Sequence, residues 1–171
     1  KIASYYENEF KLERSIAQQI SNLCNGNLYL ANHMKNNYKN IFNDLDDFLN
    51  IIFENKLDLS FKLTKRLDKN ELKNLIYLLE VFINDIIVFK KTNILNKTRF
   101  IYKKNYIKEL SMKYNDSDLN ILINTIHSIN KNIDKNVYTP LLLNSFFIEI
   151  SNVLNKHFKP KTLMDKIIAY E

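Results

Sequence analysis

The sequence predicts an all-α protein in which a short three-helix piece is followed by a larger helical bundle. The chain of 171 residues contains one Gly and two Pro, although sheets with tight hairpins need both residues at their turns. Hydrophobic residues make up 46% of the chain, which is enough for a packed core. They recur at spacings of three and four along most of the sequence, and this is the period of an amphipathic helix.

The first part of the chain predicts three short helices followed by a linker. One apolar face begins at Ile2, a second runs over 16–24, and a third resumes at Leu28, each at helical spacing. The stretch 36–40 is polar and aperiodic, which is typical of a connecting segment. We therefore expect a domain boundary near residue 37.

The only glycine of the chain, Gly26, lies between the second and third of these helices. Glycine adopts the left-handed conformation that ends many helices with less strain than other residues. Asn25-Gly26 therefore predicts a helix C-cap, and Asn27 predicts the N-cap of the helix that follows. This structural role holds whatever the function of the protein is.

The second part, 38–158, predicts a helical bundle, and 159–171 predicts a short basic tail. The longest apolar pattern runs over 72–89 and is wide enough for a helix that packs on more than one side. The stretch 92–104 has no clear period and predicts an irregular crossing segment. Two short helices are predicted at 59–67 and 106–114. Two more are predicted to start at a capping residue, one at Asp44 and one at Asp116 or Ser117. The last predicted helix begins at Thr139-Pro140 and ends near Phe158.

Charge and composition restrict the environment and the partners. The formal charge of +6 permits contact with nucleic-acid phosphates, but Lys and Arg are spread along the chain, which favours a solvated surface.

The chain lacks a run of about 18 apolar residues and a signal-peptide pattern, and its single Cys fits a reducing compartment. We expect a cytoplasmic protein without membrane contact. Because the first residue is Lys rather than Met and a helical pattern begins at Ile2, we also expect a piece of a longer protein.

The sequence lacks the patterns of common catalytic and metal sites. It contains no GxxxxGK[ST] segment that would cradle phosphates. His33, His127 and His157 are not four residues apart, nor beside a pair of carboxylates, as a metal site would require. We therefore expect no catalytic residue, cofactor or metal in this chain.

Two further features have simple structural explanations. Cys24 lies on the apolar face of its helix and is predicted to be a buried hydrophobic residue rather than a nucleophile. The acidic cluster of Asp44, Asp46 and Asp47 is explained by the preference of a helix N-terminus for negative charge. Neither feature predicts catalysis.

The segment 24–31 reads CNGNLYLA, and the segment 136–144 reads NVYTPLLLN. The first resembles the G-x-[LM]-R-x-A-L motif that opens the last lid helix of clamp-loader AAA+ proteins, with the matching residues Gly26, Asn27, Leu28 and Ala31. The second is similar to the segment that opens the last collar helix of that family, with the matching residues Asn136, Val137, Leu141 and Leu143. The stretch 75–91 resembles a further collar helix. The resemblance is closest to delta-prime-type subunits of bacterial DNA polymerase III.

The resemblance implies that 1–37 ends an AAA+ module whose remainder lies upstream, and that 38–158 is a collar domain. In ATP-hydrolysing relatives, the Arg of the lid motif reaches the nucleotide phosphates, where a fixed positive charge stabilises phosphoryl transfer. Tyr29 occupies that position here and cannot supply the charge. The resemblance therefore implies a stator-like subunit that does not hydrolyse ATP itself.

The resemblance also implies partners. Collar domains of the family associate in a ring of clamp-loader subunits, and the whole assembly loads the sliding clamp on primed DNA. Apolar residues remain that could form a surface for neighbouring subunits, namely the wide stripe over 72–89 together with Leu141, Leu142 and Ile148. The same residues could instead fill the core of this chain, and both interpretations stay open. Two other functions also stay open: a gamma/tau-type clamp-loader subunit, and an unrelated helical nucleic-acid-binding domain with a basic face.

Overall fold

The computed structural model describes residues 2–10, 12–56, 58–133, 135 and 138–154. Within these ranges the chain forms eight α-helices, two short 3-10 turns and no strand, so the predicted all-α class is confirmed. The 3-10 turns, Leu95–Lys97 and Ile101–Lys103, belong to the predicted irregular crossing segment. The helices are α1 (Ile2–Phe10), α2 (Arg14–Cys24), α3 (Leu28–Glu54), α4 (Asp58–Arg66), α5 (Lys69–Thr92), α6 (Lys104–Lys113), α7 (Asp116–Ile133) and α8 (Thr139–Leu154).

The stretch 36–40 is helical, so the expected linker is not an irregular connection. It lies inside α3, where Asn37 alone has a non-helical backbone, with φ −126° and ψ 17°. One such residue bends a helix without ending it when hydrogen bonding resumes on both sides. The division into domains near residue 37 stays a prediction, and its position coincides with this kink.

α5 is the central helix of the bundle. Its apolar side chains are buried around most of its circumference, because α3, α6 and α7 pack against it. α8 contacts α3, α4 and α7. Phe48 of α3 contacts the rings of Phe146 and Phe147 on α8, with centroids 5.9 and 5.0 Å away. The wide apolar stripe of α5 therefore fills the core of this chain. This agrees with the second of the two interpretations of the stripe, in which it packs within the chain.

The N-cap of α7 lies one residue earlier than the sequence predicts. The side-chain oxygen of Asn115 accepts the N–H of Asp118 at 2.9 Å, and the carboxylate of Asp118 accepts the N–H of Asn115 at 3.3 Å. This reciprocal pair satisfies two backbone donors at the start of the helix. Asp116 and Ser117 are already inside the helix, so the prediction that one of them is the cap is wrong.

The acidic cluster of α3 lies in the middle of the helix, so the expectation that it caps a helix N-terminus is wrong. Asp44 is buried and forms an ion pair with Arg66 of α4, whose guanidinium also lies 3.6 Å from Asp47. Asp46 lies 2.7 Å from the ammonium group of Lys103. These carboxylates connect α3 to other elements. The prediction failed because α3 continues through 36–40, which moves the cluster away from any helix end.

Candidate functional site

The glycine of the lid-like motif lies in a tight turn between α2 and α3. After α2 ends at Cys24, Asn25 has a left-handed backbone with φ 43°, and Gly26 has φ 87°. The N–H of Asn27 donates to the carbonyl of Cys24 at 2.8 Å. The side-chain oxygen of Asn27 accepts the N–H of Leu30 at 3.1 Å. The predicted C-cap and N-cap are therefore confirmed.

The first turn of α3 places two motif residues at the surface and one in the core. Leu28 and Tyr29 are exposed, and Tyr29 retains 72% of its accessible surface. Ala31 is fully buried on the helix that packs against α2. A phenol carries no positive charge in any protonation state, so Tyr29 presents an uncharged polar ring where an arginine would present a cation.

The residues of the collar-like segment at the start of α8 differ in how far they are buried. Asn136 and Val137 lie outside the described residues. Leu143 is fully buried, whereas Leu141 keeps 61% of its surface exposed. Ile148 lies two helical turns after Leu141 and is 64% exposed. Because α-helical residues seven positions apart lie on the same side, Leu141 and Ile148 form one line, which we call the outer face of α8.

Two buried polar side chains hold the crossing segment between α5 and α6. One carboxylate oxygen of Asp85 on α5 accepts the N–H groups of Arg99 at 2.7 Å and Phe100 at 2.8 Å. The amide of Gln19 on α2 donates to the carbonyl of Arg99 at 3.2 Å and accepts the N–H of Ile101 at 2.8 Å. We call Gln19, Asp85 and residues 99–101 the polar junction. It satisfies backbone groups that irregular structure would otherwise leave unpaired.

Sequence reasoning missed the polar junction. One signal was present, because Asp85 lies within the apolar stripe of α5 and a buried carboxylate is costly unless it is hydrogen-bonded. Gln19 gave no comparable signal, since its partners lie 80 and 82 positions later in the chain. Helical periodicity carries no information about such distant pairs.

Burial raises the pKa of two groups, one in the polar junction and one at the end of α2. It raises the pKa of the Asp85 carboxyl group, although the N–H groups of Phe100 and Arg99 act in the opposite direction. Burial also raises the pKa of the Cys24 thiol to about 12. Cys24 is therefore protonated at neutral pH and lies 3.6 Å from the sulfur of Met34. The prediction that Cys24 is a buried hydrophobic residue is confirmed.

The histidines lie in separate places. His33 is 3.4 Å from the amide nitrogen of Asn74, His127 is 3.2 Å from a carboxylate oxygen of Glu80, and His157 lies outside the described residues. Among the residues that the structure describes, no three His, Cys, Asp or Glu side chains are grouped as metal ligands. In the same part of the chain, no helix combines the length and the apolar character needed to cross a membrane.

The motif residues are accessible to other molecules in two places, at Leu28 and Tyr29 at the start of α3 and at Leu141 on the outer face of α8. The polar junction is buried and holds the crossing segment against α2 and α5. Comparison with protein-family models, curated proteins and solved structures finds no match to this chain.

Proposed function

We propose that this chain is the lid and collar part of a delta-prime-like clamp-loader subunit of bacterial DNA polymerase III. Such a subunit assembles in the cytoplasm with other loader subunits through its collar domain. The complete assembly loads the sliding clamp on primed DNA during replication. This part of the subunit contributes contacts between proteins rather than a catalytic residue, a cofactor or a metal.

The observation that carries the proposal is the turn at Gly26 and Asn27. It ends one helix and caps the next, which is the local structure that the lid motif requires. Tyr29 follows on the exposed side of α3. An uncharged ring at this position cannot stabilise the negative charge that develops on transferred phosphate, which favours a subunit without ATP hydrolysis of its own.

The outer face of α8 supplies the second argument. Leu141 and Ile148 remain exposed although α8 packs against three other helices through its opposite side. Apolar side chains in the centre of an interface provide much of its binding energy. This face therefore suits a collar that packs against a neighbouring subunit.

The proposal is tested by co-purification of the full-length protein with the ATPase subunits of the clamp loader from the same organism. We expect a stable complex on size-exclusion chromatography. The double substitution Leu141→Gln and Ile148→Gln removes two apolar anchors, each worth about 1.5 kcal/mol or more when buried, and should weaken association by at least tenfold. It should leave the free energy of unfolding nearly unchanged, because both side chains are exposed.

Met112→Gln is the matched control. Met112 is an exposed apolar residue on α6, and its substitution should leave the complex intact. Failure to associate with the loader subunits would contradict the proposal. Equal effects of the α8 and α6 substitutions would show that the outer face of α8 is not the contact.

The two alternative functions predict different results. A gamma/tau-type subunit would hydrolyse ATP by itself when the full-length protein is assayed, whereas the proposed subunit would not. An unrelated nucleic-acid-binding domain would bind DNA tightly with a steep salt dependence and would not associate with loader subunits. Each alternative therefore has an assay in which it differs from the proposal.

A further inference from the structure

Asn25 and Gly26 form a chemically reactive pair in the turn between α2 and α3. Gly26 is the only glycine of the chain, so Asn25 is the only asparagine that precedes a glycine. Both residues are exposed, and a Cβ atom built at Gly26 would meet nothing within 4 Å. Because glycine has no side chain, other groups can approach its main-chain nitrogen closely.

The reaction open to this pair is deamidation of the asparagine. The main-chain nitrogen of Gly26 attacks the side-chain carbonyl carbon of Asn25, a C–N bond forms, and ammonia leaves with the proton of the Gly26 N–H. Water then opens the resulting five-membered succinimide ring at either of its carbonyl carbons. The product is aspartate or isoaspartate, in which the main chain runs through the side-chain carbon. Water is consumed and ammonia released, and no group is oxidised or reduced.

Neither reacting group is held by another described residue. The recorded hydrogen bonds of this turn run from the N–H of Asn27 to the carbonyl of Cys24 at 2.8 Å and from the N–H of Leu30 to the side chain of Asn27 at 3.1 Å. The side-chain amide of Asn25 and the N–H of Gly26 take part in neither. The attack therefore breaks no hydrogen bond of the reacting groups themselves.

The backbone conformation of Asn25 prevents ring closure while the turn is closed. Asn25 has φ 43° and ψ 43°. In this left-handed conformation the Cβ of an L-residue lies close to its own carbonyl oxygen, so the nitrogen of Gly26 lies on the opposite side of the Cα–C bond. A five-membered ring requires Cβ and this nitrogen on the same side. The closed turn therefore keeps the reacting atoms apart.

We propose that Asn25 is a deamidation site that the turn between α2 and α3 protects, so that the reaction proceeds only when this turn opens. Rotation about ψ of Asn25 moves the residues that follow and breaks the 2.8 Å hydrogen bond between Asn27 and Cys24. Exposed turns open locally at a lower free energy than the whole fold. Modification at Asn25 therefore records opening of this turn.

Either product changes the start of α3. Aspartate adds a negative charge two residues before the N-cap Asn27, near the positive end of the helix dipole. Isoaspartate lengthens the main chain by one methylene group inside the loop that the hydrogen bond between Asn27 and Cys24 closes. The inference goes beyond the proposed function and does not depend on it. Its readout is a covalent change, which is measured separately from subunit association.

The test is peptide-mapping mass spectrometry of the full chain during incubation in mildly alkaline buffer, with and without denaturing urea. We expect Asn25 to be the first asparagine modified in urea. In buffer its rate should be at least about tenfold lower, which corresponds to an opening free energy of about 1.4 kcal/mol or more. Asn144 is the internal control, because it is also exposed and precedes a small residue, Ser145, but lies inside α8. It should remain unmodified in buffer.

Two substitutions at the N-cap change the opening of the turn without changing the reacting pair. Asn27→Ala removes the side-chain acceptor of the Leu30 N–H, a loss of about 1 kcal/mol for a typical cap. It should raise the deamidation rate in buffer about fivefold and leave the rate in urea unchanged. Asn27→Ser is the matched control, because serine also caps helices, and its rate in buffer should stay close to that of the unsubstituted chain.

Three outcomes would overturn the inference. Equal rates at Asn25 in buffer and in urea would show that the left-handed backbone does not protect the residue. An unchanged rate in buffer for Asn27→Ala would show that opening of this turn does not control the reaction. Modification of Asn144 before Asn25 in urea, or none at Asn25, would show that this pair is not the reactive site.

Discussion

Asp85 accepts the N–H groups of Arg99 and Phe100 through one oxygen of its buried carboxylate. Asp85→Ala would leave the buried N–H of Phe100 and the part-buried N–H of Arg99 without this partner, and we expect a loss on the order of 3 kcal/mol in the free energy of unfolding. Asp85→Asn keeps one acceptor oxygen and should remain within about 1 kcal/mol of the unsubstituted chain. Urea denaturation of both variants measures the difference.

The stability of Asp85→Asn relative to the unsubstituted chain should depend on pH. Burial raises the pKa of Asp85 in the folded chain above its usual value. The unsubstituted chain therefore loses stability as the pH rises through this folded pKa, because the charged form is desolvated. Asp85→Asn does not titrate, so its stability relative to the unsubstituted chain should increase from acidic to neutral pH. A constant difference across this range would contradict the role of burial at Asp85.

Gln19 is the second residue of the polar junction, and its amide both donates and accepts. Gln19→Glu removes the donor to Arg99 and buries a charge, so we expect a loss on the order of 2 kcal/mol at neutral pH. The introduced carboxyl group should have a raised folded pKa. Its protonated form can donate again, so the loss should shrink as the pH falls towards about 4, near the normal pKa of Glu.

Gln18→Glu is the matched control for Gln19→Glu. Gln18 is the preceding residue of α2 and is exposed, with its amide bonded to Asn22. The same chemical change at this position should alter stability little and without the same pH dependence. If both variants behave alike, the buried contacts of Gln19 do not determine the effect.

At the scale of a single element, Gly26 separates α2 from α3. A Cβ atom at this position would meet no atom within 4 Å, but the backbone has φ 87°. Gly26→Ala should therefore lower the free energy of unfolding by about 1 kcal/mol, through backbone strain rather than through a clash. Gly26→Asn should cost less, because Asn tolerates left-handed conformations better than Ala. Equal stability of all three chains in urea denaturation would contradict the left-handed turn.

The local sequence pattern predicts where a helix starts better than it predicts how long the helix is. The N-cap at Asn27 could be predicted, because capping is a contact between residues three positions apart. The extent of α3 could not be predicted from its polar stretch at 36–40. Burial of apolar side chains on both sides of Asn37 outweighs the weak helix preference of that stretch, because most helical stability in proteins comes from tertiary packing.

At the scale of the whole molecule, one core joins α2 and the start of α3 to the bundle. Cys24, Met34 and Phe82 belong to the same buried cluster. The hydroxyl of Tyr77 on α5 also donates to the carbonyl of Leu23 on α2 at 3.0 Å. We therefore expect the described helices to unfold together, as domains of this size usually do.

Cys24 reports on this cooperativity, because its thiol is buried and protonated in the folded chain. Labelling at about pH 8.5, where an exposed thiol is half ionised, should begin only when the core opens. The urea midpoint of labelling should coincide with the midpoint of loss of helical circular dichroism. A Cys24→Ala chain with Asn152→Cys on the exposed side of α8 should react without urea. Labelling of Cys24 at lower urea would instead show that the first helices open separately, as a domain boundary near residue 37 predicts.

The burial of apolar residues was predictable only in part. Leu141 and Leu143 are both apolar and two positions apart, yet one is exposed and the other buried. A helical period assigns residues to faces, but it does not say which faces find a partner. That depends on how α8 lies against α3, α4 and α7, which is decided by packing between distant parts of the chain.

The sequence by itself determined the all-α class, the approximate positions of most helices, the turn at Gly26 and the burial of Cys24. These follow from interactions between residues within a few positions of one another, namely helical period, capping and backbone conformation. Only the tertiary structure decided that Asp44 pairs with Arg66 and that Gln19 and Asp85 meet at the crossing segment. These contacts join residues 14 to 82 positions apart, and the need to satisfy buried polar groups selects them after the helices pack.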